Sequence, residues 1–204
     1  VTSMVVPSPA EEYGIAKYEA EKIFSSLKVN GVSVAIIRPR TILGTGRLGI
    51  FQILFEWIFQ GKNIPVLGNG DNIYQFVHAL DLADACIAAG NTQLNCTYNI
   101  GAKQFCSMRE TLESVIKHAN SKSKIVSVNK KLAKIGMNIT SSLGLSPLGP
   151  YHSLMYGETM YFDISKAEKD FGFSPYYSNI EMFKESYSWY LNNRDSILSG
   201  TLKG

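Results

Sequence analysis

The sequence contains little cysteine, histidine or charge, and each shortage excludes a class of protein. Its three cysteines, Cys86, Cys96 and Cys106, are an odd number without a C-x-x-C pair. A disulfide framework or a zinc site is therefore not expected, and a reducing, cytoplasmic location is favoured. Of the three histidines, His118 and His152 have no ligand-like neighbours, so the sequence predicts no metal site.

The sequence also lacks a membrane-length apolar run and a dense basic segment. Its most apolar stretch, residues 50–59, contains Gln52 and Glu56 and is too short to span a bilayer. The net charge is only +3, and the densest lysine cluster, residues 122–134, is interleaved with apolar and polar residues, as on a solvated face. We expect neither nucleic acid nor a membrane as a partner.

What is present is the pattern of a folded α/β protein. Hydrophobic residues make up 45% of the 204-residue chain, and predicted helices and strands alternate along it. A capping box at residues 8–11 predicts a first helix that ends at Asn30-Gly31, and Asp81 is predicted to cap another. Further helices are expected over residues 50–60, 82–89, 107–119, 132–142, 165–171 and 179–193, and a loop over 143–157. Strands are expected over residues 32–37 (buried on both faces), 64–67, 74–78, 98–100 and 125–128.

Residues 44–49 match the dinucleotide-binding pattern G-x-G-x-x-G, with a predicted strand before them and a helix after them. Gly44 lies seven residues beyond Ile37, however, and Pro39 lies between, whereas the fingerprint needs a tight strand-to-helix turn. No acidic residue ends a strand about twenty residues later. We interpret this segment as an ordinary loop.

Tyr13 and Lys17 form a Y-x-x-x-K pair, which lies on one face of a helix. An unperturbed tyrosine is a poor base at neutral pH, and a nearby ammonium favours its phenolate. Such a tyrosine can exchange a proton with a substrate hydroxyl or carbonyl during hydride transfer to or from a nicotinamide. The motif alone is weak, because Tyr18 and Lys22 repeat it and an exposed amphipathic helix can carry it without function.

The order of motifs along the chain is more specific. After the tyrosine–lysine pair come Arg38-Pro39, a glycine loop, Phe76-Val77-His78-Ala79-Leu80-Asp81, Tyr98-Asn99-Ile100-Gly101 and Asp163-Ile164-Ser165-Lys166-Ala167. This series resembles the extended short-chain dehydrogenase/reductases, the NAD-dependent epimerase/dehydratase family. The resemblance covers residues 8–191 and implies part of a Rossmann-like parallel sheet in residues 1–60. It also implies a smaller C-terminal substrate-binding α/β region in residues 61–204, from which Tyr74–Ala89 and Tyr98–Gly101 return to the core.

The resemblance also implies roles for individual residues. Tyr13 would be the catalytic acid/base and Lys17 its ribose-binding partner, with NAD or NADP as cofactor and a homodimer packed through the Tyr13 helix. The remaining candidates are the cofactor-binding residues Pro39, Arg40 and Thr41 and the substrate-binding residues Tyr74, Gln75 and His78. His78 has an alternative interpretation as a hydrogen-bonded structural residue.

Two departures from the family pattern keep other functions open. Nothing before Tyr13 supplies the glycine-rich cofactor turn, so we expect the C-terminal portion of a longer enzyme. A chain complete at this length would instead be a non-catalytic binding module. Tyr74 and Gln75 stand where sugar-nucleotide epimerases usually have a diphosphate-binding arginine. The small-molecule substrate is therefore a sugar nucleotide or another hydroxyl or keto compound, the latter as in ketone or steroid reductases.

Overall fold

The computed structural model of the chain describes residues 1–9, 11–129 and 158–202. Its strands, in chain order, are β1 (Ile36–Pro39), β2 (Thr41–Leu43), β3 (Ile64–Leu67), β4 (Phe76–His78), β5 (Thr97–Ile100) and β6 (Ile125–Val128). Its helices are α1 (Glu12–Ser26, followed by a 3₁₀ turn, Leu27–Asn30), α2 (Phe51–Phe59), α3 (Ala79–Gly90), α4 (Met108–His118), α5 (Ser165–Phe171) and α6 (Asn179–Leu198).

Every strand pair in the described residues is parallel. β1 pairs with β5, β2 with β4, and β3 with β6. Parallel neighbours need long crossover connections, which the intervening helices supply. The α/β class and the parallel arrangement predicted from the sequence are therefore confirmed.

β4 lies between two hydrophobic clusters. Side chains alternate across a strand, so Phe76 and Val77 face opposite sides. Phe76 joins a cluster with α2, α4 and α6, where its ring lies 4.9 Å from that of Phe183. Val77 joins a second cluster that includes Tyr98 of β5 and Ala167 of α5. All three residues of β4 are buried as a result.

Several elements agree with the sequence prediction. α2, β3, β5, β6 and α5 lie within a residue or two of their expected bounds. α4 begins with the expected capping box of Ser107 and Glu110, and α5 ends at Gly172, whose φ of 70° is the left-handed conformation that glycine tolerates best. The helix expected over residues 132–142 and the loop over 143–157 lie outside the described residues.

The predicted start of α1 was wrong. The helix begins at Glu12, and its N-cap, Glu11, is extended (φ −127°, ψ 154°) with no side-chain capping bond. Prolines 7 and 9 disfavour helical conformation in the residues that precede them, and no helix forms at Ser8. The predicted end at Gly31 is correct, because Gly31 caps the 3₁₀ turn at a φ of 77°.

The strand expected over residues 32–37 was also placed wrongly. β1 begins at Ile36, where it can pair with β5, and it includes Pro39. Val32 and Ser33 are exposed, and β1 is half-buried because it has a single pairing partner within the described residues. β2 was not predicted, and the glycine segment after it makes a tight turn in which the Arg47 N–H donates to the Gly44 carbonyl at 3.0 Å.

Two helix ends differ from expectation. Asp81 does not cap α3; the N-cap is His78, whose Nδ1 accepts from the Leu80 N–H at 3.3 Å. The Asp81 carboxylate instead accepts from the backbone N–H groups of Tyr176 and Tyr177, at 2.9 and 3.1 Å. α6 continues to Leu198, five residues beyond its predicted end. No helix in the described ranges is long and apolar enough to cross a membrane.

A charged group on α2 ties this helix to α6. Glu56 accepts two hydrogen bonds from the Arg194 guanidinium, at 2.7 and 2.6 Å, and a third from the Tyr190 hydroxyl. Both side chains of the ion pair are largely shielded from solvent. The arginine, followed by the tyrosine hydroxyl, lowers the pKa of Glu56 from 4.5 to about 2.

This depressed pKa predicts acid sensitivity. The stabilisation is complete above the unfolded-state pKa of 4.5 and is lost as the pH falls towards 2. We expect Glu56→Gln to lower the free energy of unfolding at pH 7 by about 1–3 kcal/mol and to flatten its decline between these pH values. Urea denaturation at a series of pH values measures both effects.

Glu113→Gln is the matched control, because Glu113 forms an exposed i,i+4 pair with Arg109 at 3.3 Å. Exposed pairs contribute roughly 0–1 kcal/mol, so this variant should behave like the wild type. If the free energy of unfolding declined equally with falling pH in the wild type and in Glu56→Gln, the acid sensitivity would not arise from Glu56.

Candidate active site

Tyr13 and Lys17 lie on the solvent-facing surface of α1. The Lys17 Nζ atom lies 5.5 Å from the centre of the Tyr13 ring, and the Tyr13 side chain is 75% exposed. No residue of α1 is buried. In the described part of the chain Lys17 forms no ion pair, so its ammonium and the tyrosine hydroxyl face outward together.

The second tyrosine–lysine pair on α1 has a different environment. Lys22 lies 4.6 Å from the Tyr18 ring, but its ammonium is bound to the Glu19 carboxylate at 2.7 Å. That hydrogen bond raises the pKa of Lys22. The structure therefore distinguishes two pairs that the motif alone does not.

One charged contact connects α1 to β1. Arg38 donates from Nε and Nη2 to the two carboxylate oxygens of Glu21, at 2.9 and 2.6 Å. Its remaining nitrogen donates to the carbonyls of Ser3 and Val5, at 3.4 and 3.2 Å. This bidentate fork raises the pKa of Arg38 and fixes α1 against the strand that leads to the other candidates.

The three predicted cofactor residues occupy the junction between β1 and β2. Pro39 is exposed, Arg40 is buried and Thr41 is half-buried. The Arg40 N–H donates to the Ile100 carbonyl at 2.9 Å, the last contact to β5 before the chain turns to pair with β4.

The Arg40 guanidinium lies between two aromatic rings. Its central carbon is 4.6 Å from the centre of the Tyr74 ring and 5.1 Å from that of Phe162. Nε donates to the Gln75 carbonyl at 3.2 Å, and the Thr41 and Tyr74 hydroxyls are hydrogen-bonded at 2.9 Å. Phe162, which immediately precedes the motif at residues 163–167, was not among the predicted site residues.

Gln75 is fully buried and braces this cluster. Its side-chain nitrogen donates to the Ala102 carbonyl at 2.7 Å, and its side-chain oxygen accepts from the Phe162 N–H at 2.8 Å. The amide lies directly over Gly101, where a Cβ atom would come within 2.4–2.6 Å of it. Gln75 therefore links β4, the end of β5 and the segment before α5.

His78 is also buried, and its side chain is held by protein groups. Its ring stacks on Tyr177 at 3.7 Å, and Nε2 lies 3.2 Å from a Glu185 oxygen. With the capping bond to Leu80, these contacts match the structural interpretation. A substrate role for Gln75 or His78 remains a prediction.

The structure thus brings the candidates into two groups. Arg40, Thr41, Tyr74 and Gln75 contact one another, whereas Tyr13 and Lys17 contact each other on α1. Among the described residues, no three histidine, cysteine or acidic side chains are placed to hold a metal ion.

Comparison with known proteins agrees with this parallel α/β fold. Residues 2–101 match the model of the NAD dependent epimerase/dehydratase family. The chain is 55% identical over 201 residues to the uncharacterized protein y4nG of Sinorhizobium fredii, which covers 98% of this chain and 51% of that protein. It is 25% identical over 194 residues to the putative UDP-glucose 4-epimerase of Methanocaldococcus jannaschii, covering 91% of this chain and 55% of the relative.

A solved structure shows the same fold. The UDP-glucuronic acid 4-epimerase of Bacillus cereus, in complex with UDP-glucuronic acid and NAD, matches with a TM-score of 0.69 at 20% identity. The match covers 94% of this chain and 56% of that one. The fold and the exposed tyrosine–lysine helix define a Rossmann-type protein. Residues 2–101 belong to the NAD-dependent epimerase/dehydratase family, and the chain spans about half the length of the curated relatives it matches.

The close approach of Gln75 to Gly101 predicts a large effect from a small substitution. We expect Gly101→Ala to displace the Gln75 amide and leave buried groups unpaired, at a cost of about 1–3 kcal/mol for each. Gly90→Ala is the control, because nothing lies within 4 Å of a Cβ at that position. We expect its free energy of unfolding to stay within about 0.5 kcal/mol of wild type, as thermal or urea denaturation would show. Equal stability of the two variants would contradict the bracing role of Gln75.

Proposed function

We propose that the chain is the catalytic and substrate-side part of an NAD(P)-dependent oxidoreductase, epimerase or dehydratase that acts on a sugar nucleotide. The observation that carries the proposal is the outward-facing pair of Tyr13 and Lys17 on α1. The family match gives that pair its chemical context.

The residues of α1 suit a nicotinamide cofactor, either NAD or NADP. Ribose hydroxyls need hydrogen-bond donors, and the Lys17 ammonium supplies three donors without an ion-pair partner in the described residues. When bound, the nicotinamide would accept hydride or return it. Pro39 and Thr41, the two neighbours of Arg40 at the junction of β1 and β2, are the further cofactor contacts in this proposal.

Tyr13 would carry the proton that accompanies hydride transfer. Its hydroxyl would accept a proton from a substrate hydroxyl, or donate one to a carbonyl, while the positive charge of Lys17 stabilises the phenolate. Both groups lie on a helix, so their separation is set by the i,i+4 spacing and not by a loop. Arg38 and Glu21 would keep that helix in place beside β1.

The sugar-nucleotide substrate is supported by the relatives, among them the putative UDP-glucose 4-epimerase of Methanocaldococcus jannaschii. Tyr74, whose hydroxyl is hydrogen-bonded to that of Thr41, would contact the bound substrate. A ketone or steroid substrate is the alternative. Turnover measured with nucleotide-linked hexoses and with simple ketones would distinguish the two substrate classes.

A homodimer packed through α1 is also part of the proposal. Three apolar side chains of this helix, Ile15, Ile23 and Phe24, are 47–64% exposed, which is costly unless another surface covers them. Light scattering on the polypeptide as its source makes it should give twice the chain mass. Ile23→Glu should reduce that mass to a monomer.

The catalytic role of Tyr13 can be tested by removing one oxygen atom. We expect Tyr13→Phe to reduce turnover by roughly 10²–10⁴-fold, because general acid–base catalysis contributes that much. The thermal stability should not change, since the hydroxyl is exposed. Lys17→Met should weaken NAD(P) binding, measured by titration calorimetry.

The repeated motif provides matched controls. Tyr18→Phe and Lys22→Met make the same chemical changes on the same helix, and we expect both variants to keep wild-type turnover and cofactor affinity. Full turnover in Tyr13→Phe would refute the proposed mechanism. Failure of the wild-type polypeptide to bind NAD(P) would favour the non-catalytic binding module.

A further inference from the structure

Arg40 is a buried cation without a carboxylate partner in the described residues. Only 7% of the residue is exposed, and its Nη2 atom is buried without a hydrogen-bond partner there. Within the described residues, its side chain donates one hydrogen bond, from Nε to the Gln75 carbonyl. The three other partly buried arginines each have a carboxylate partner. The pairs are Arg38–Glu21, Arg109–Glu113 and Arg194–Glu56.

The surroundings of Arg40 stabilise its charge but use only part of its donor capacity. The guanidinium carbon lies close to the rings of Tyr74 and Phe162, Nε donates to the Gln75 carbonyl, and Nη2 has no acceptor among the described residues. A buried charge is costly unless it is paired and hydrogen-bonded. This arrangement leaves Nη2 without a hydrogen-bond acceptor, and an oxyanion would supply both the acceptor and the missing negative charge.

The position of Arg40 in the fold is that of a ligand contact. It follows Pro39 at the carboxyl end of β1, beside the carboxyl end of β5 at Ile100, and the chain there leaves β5 to pair with β4. In open α/β sheets, ligands bind outside the carboxyl ends of the strands. The buried Gln75 amide holds the surrounding backbone in place.

We propose that Arg40 determines substrate specificity by donating to an oxyanion of the bound substrate, either a phosphate or a sugar carboxylate. This inference rests on the proposed function. A guanidinium presents parallel N–H groups that match a phosphate or carboxylate in a bidentate way, which an ammonium cannot reproduce.

Titration calorimetry on the polypeptide as its source makes it tests this inference. The variants are Arg40→Met and Arg40→Lys, with Lys62→Met as a control that removes one exposed positive charge from the connection between α2 and β3. The probes are UDP-, dTDP- and GDP-linked hexoses, UDP-glucuronate, uridine and NAD⁺. Thermal unfolding of each variant shows that it is folded.

We expect Arg40→Met to weaken sugar-nucleotide binding by roughly 10- to 100-fold and Arg40→Lys to give an intermediate loss. The affinities for NAD⁺ and uridine should stay within about twofold of wild type. An equal loss for UDP-glucose and UDP-glucuronate would identify a phosphate. A loss confined to UDP-glucuronate would identify the sugar carboxylate.

Three results would overturn the inference. Unchanged sugar-nucleotide affinity in a folded Arg40→Met variant would make Arg40 a structural cation only. A loss confined to NAD⁺ would assign it to the cofactor. If the wild-type polypeptide binds NAD⁺ but none of the sugar nucleotides, the proposed substrate class fails and this inference with it, while the nicotinamide chemistry of Tyr13 stands.

Discussion

The pairing of residues 36–43 with two different strands is the constraint on which the candidate site depends. β1 is hydrogen-bonded to β5, and β2, one residue later, to β4. At this change of partner the buried amide of Gln75 links Ala102, which follows β5, to Phe162. These hydrogen bonds fix the backbone of Phe162, whose ring encloses Arg40 together with that of Tyr74.

α1 is positioned in a different way. Because none of its side chains is buried, packing within the described residues does little to hold it, and the Arg38–Glu21 fork is the main polar contact to the strands. The helix therefore presents Tyr13 and Lys17 on an open surface. The proposed function has a cofactor and a second copy of the chain cover this surface.

In the proposed function, the two groups of candidate residues would divide the chemistry between them. The exposed Tyr13–Lys17 pair would exchange the proton and contact the ribose, and Arg40 with its neighbours Tyr74 and Gln75 would supply a fixed positive charge. Burial suits the second role, because a fixed charge discriminates between substrates most strongly where water is excluded.

Local sequence signals predicted much of the fold. The capping box of α4, the glycine stop of α5 and the short apolar strands β3 and β6 need only neighbouring residues, and these elements lie where expected. The signals failed where tertiary contacts compete with local ones. Asp81 looks like a helix cap, but its carboxylate is taken by backbone groups 95 and 96 residues away. β1 begins at Ile36, where pairing with β5 begins, although the run of β-branched residues begins at Val32.

The candidate site likewise combines features set by local sequence with features set by tertiary contacts. The i,i+4 spacing alone determined that Tyr13 and Lys17 share a helix face, because helix geometry is local. The sequence could not distinguish them from Tyr18 and Lys22 on chemical grounds, since the Glu19 contact depends on side-chain conformation. Only the tertiary structure decided that Arg40 is buried between Tyr74 and Phe162. These residues are up to 122 positions apart, and burial of a charge depends on which distant segments pack around it.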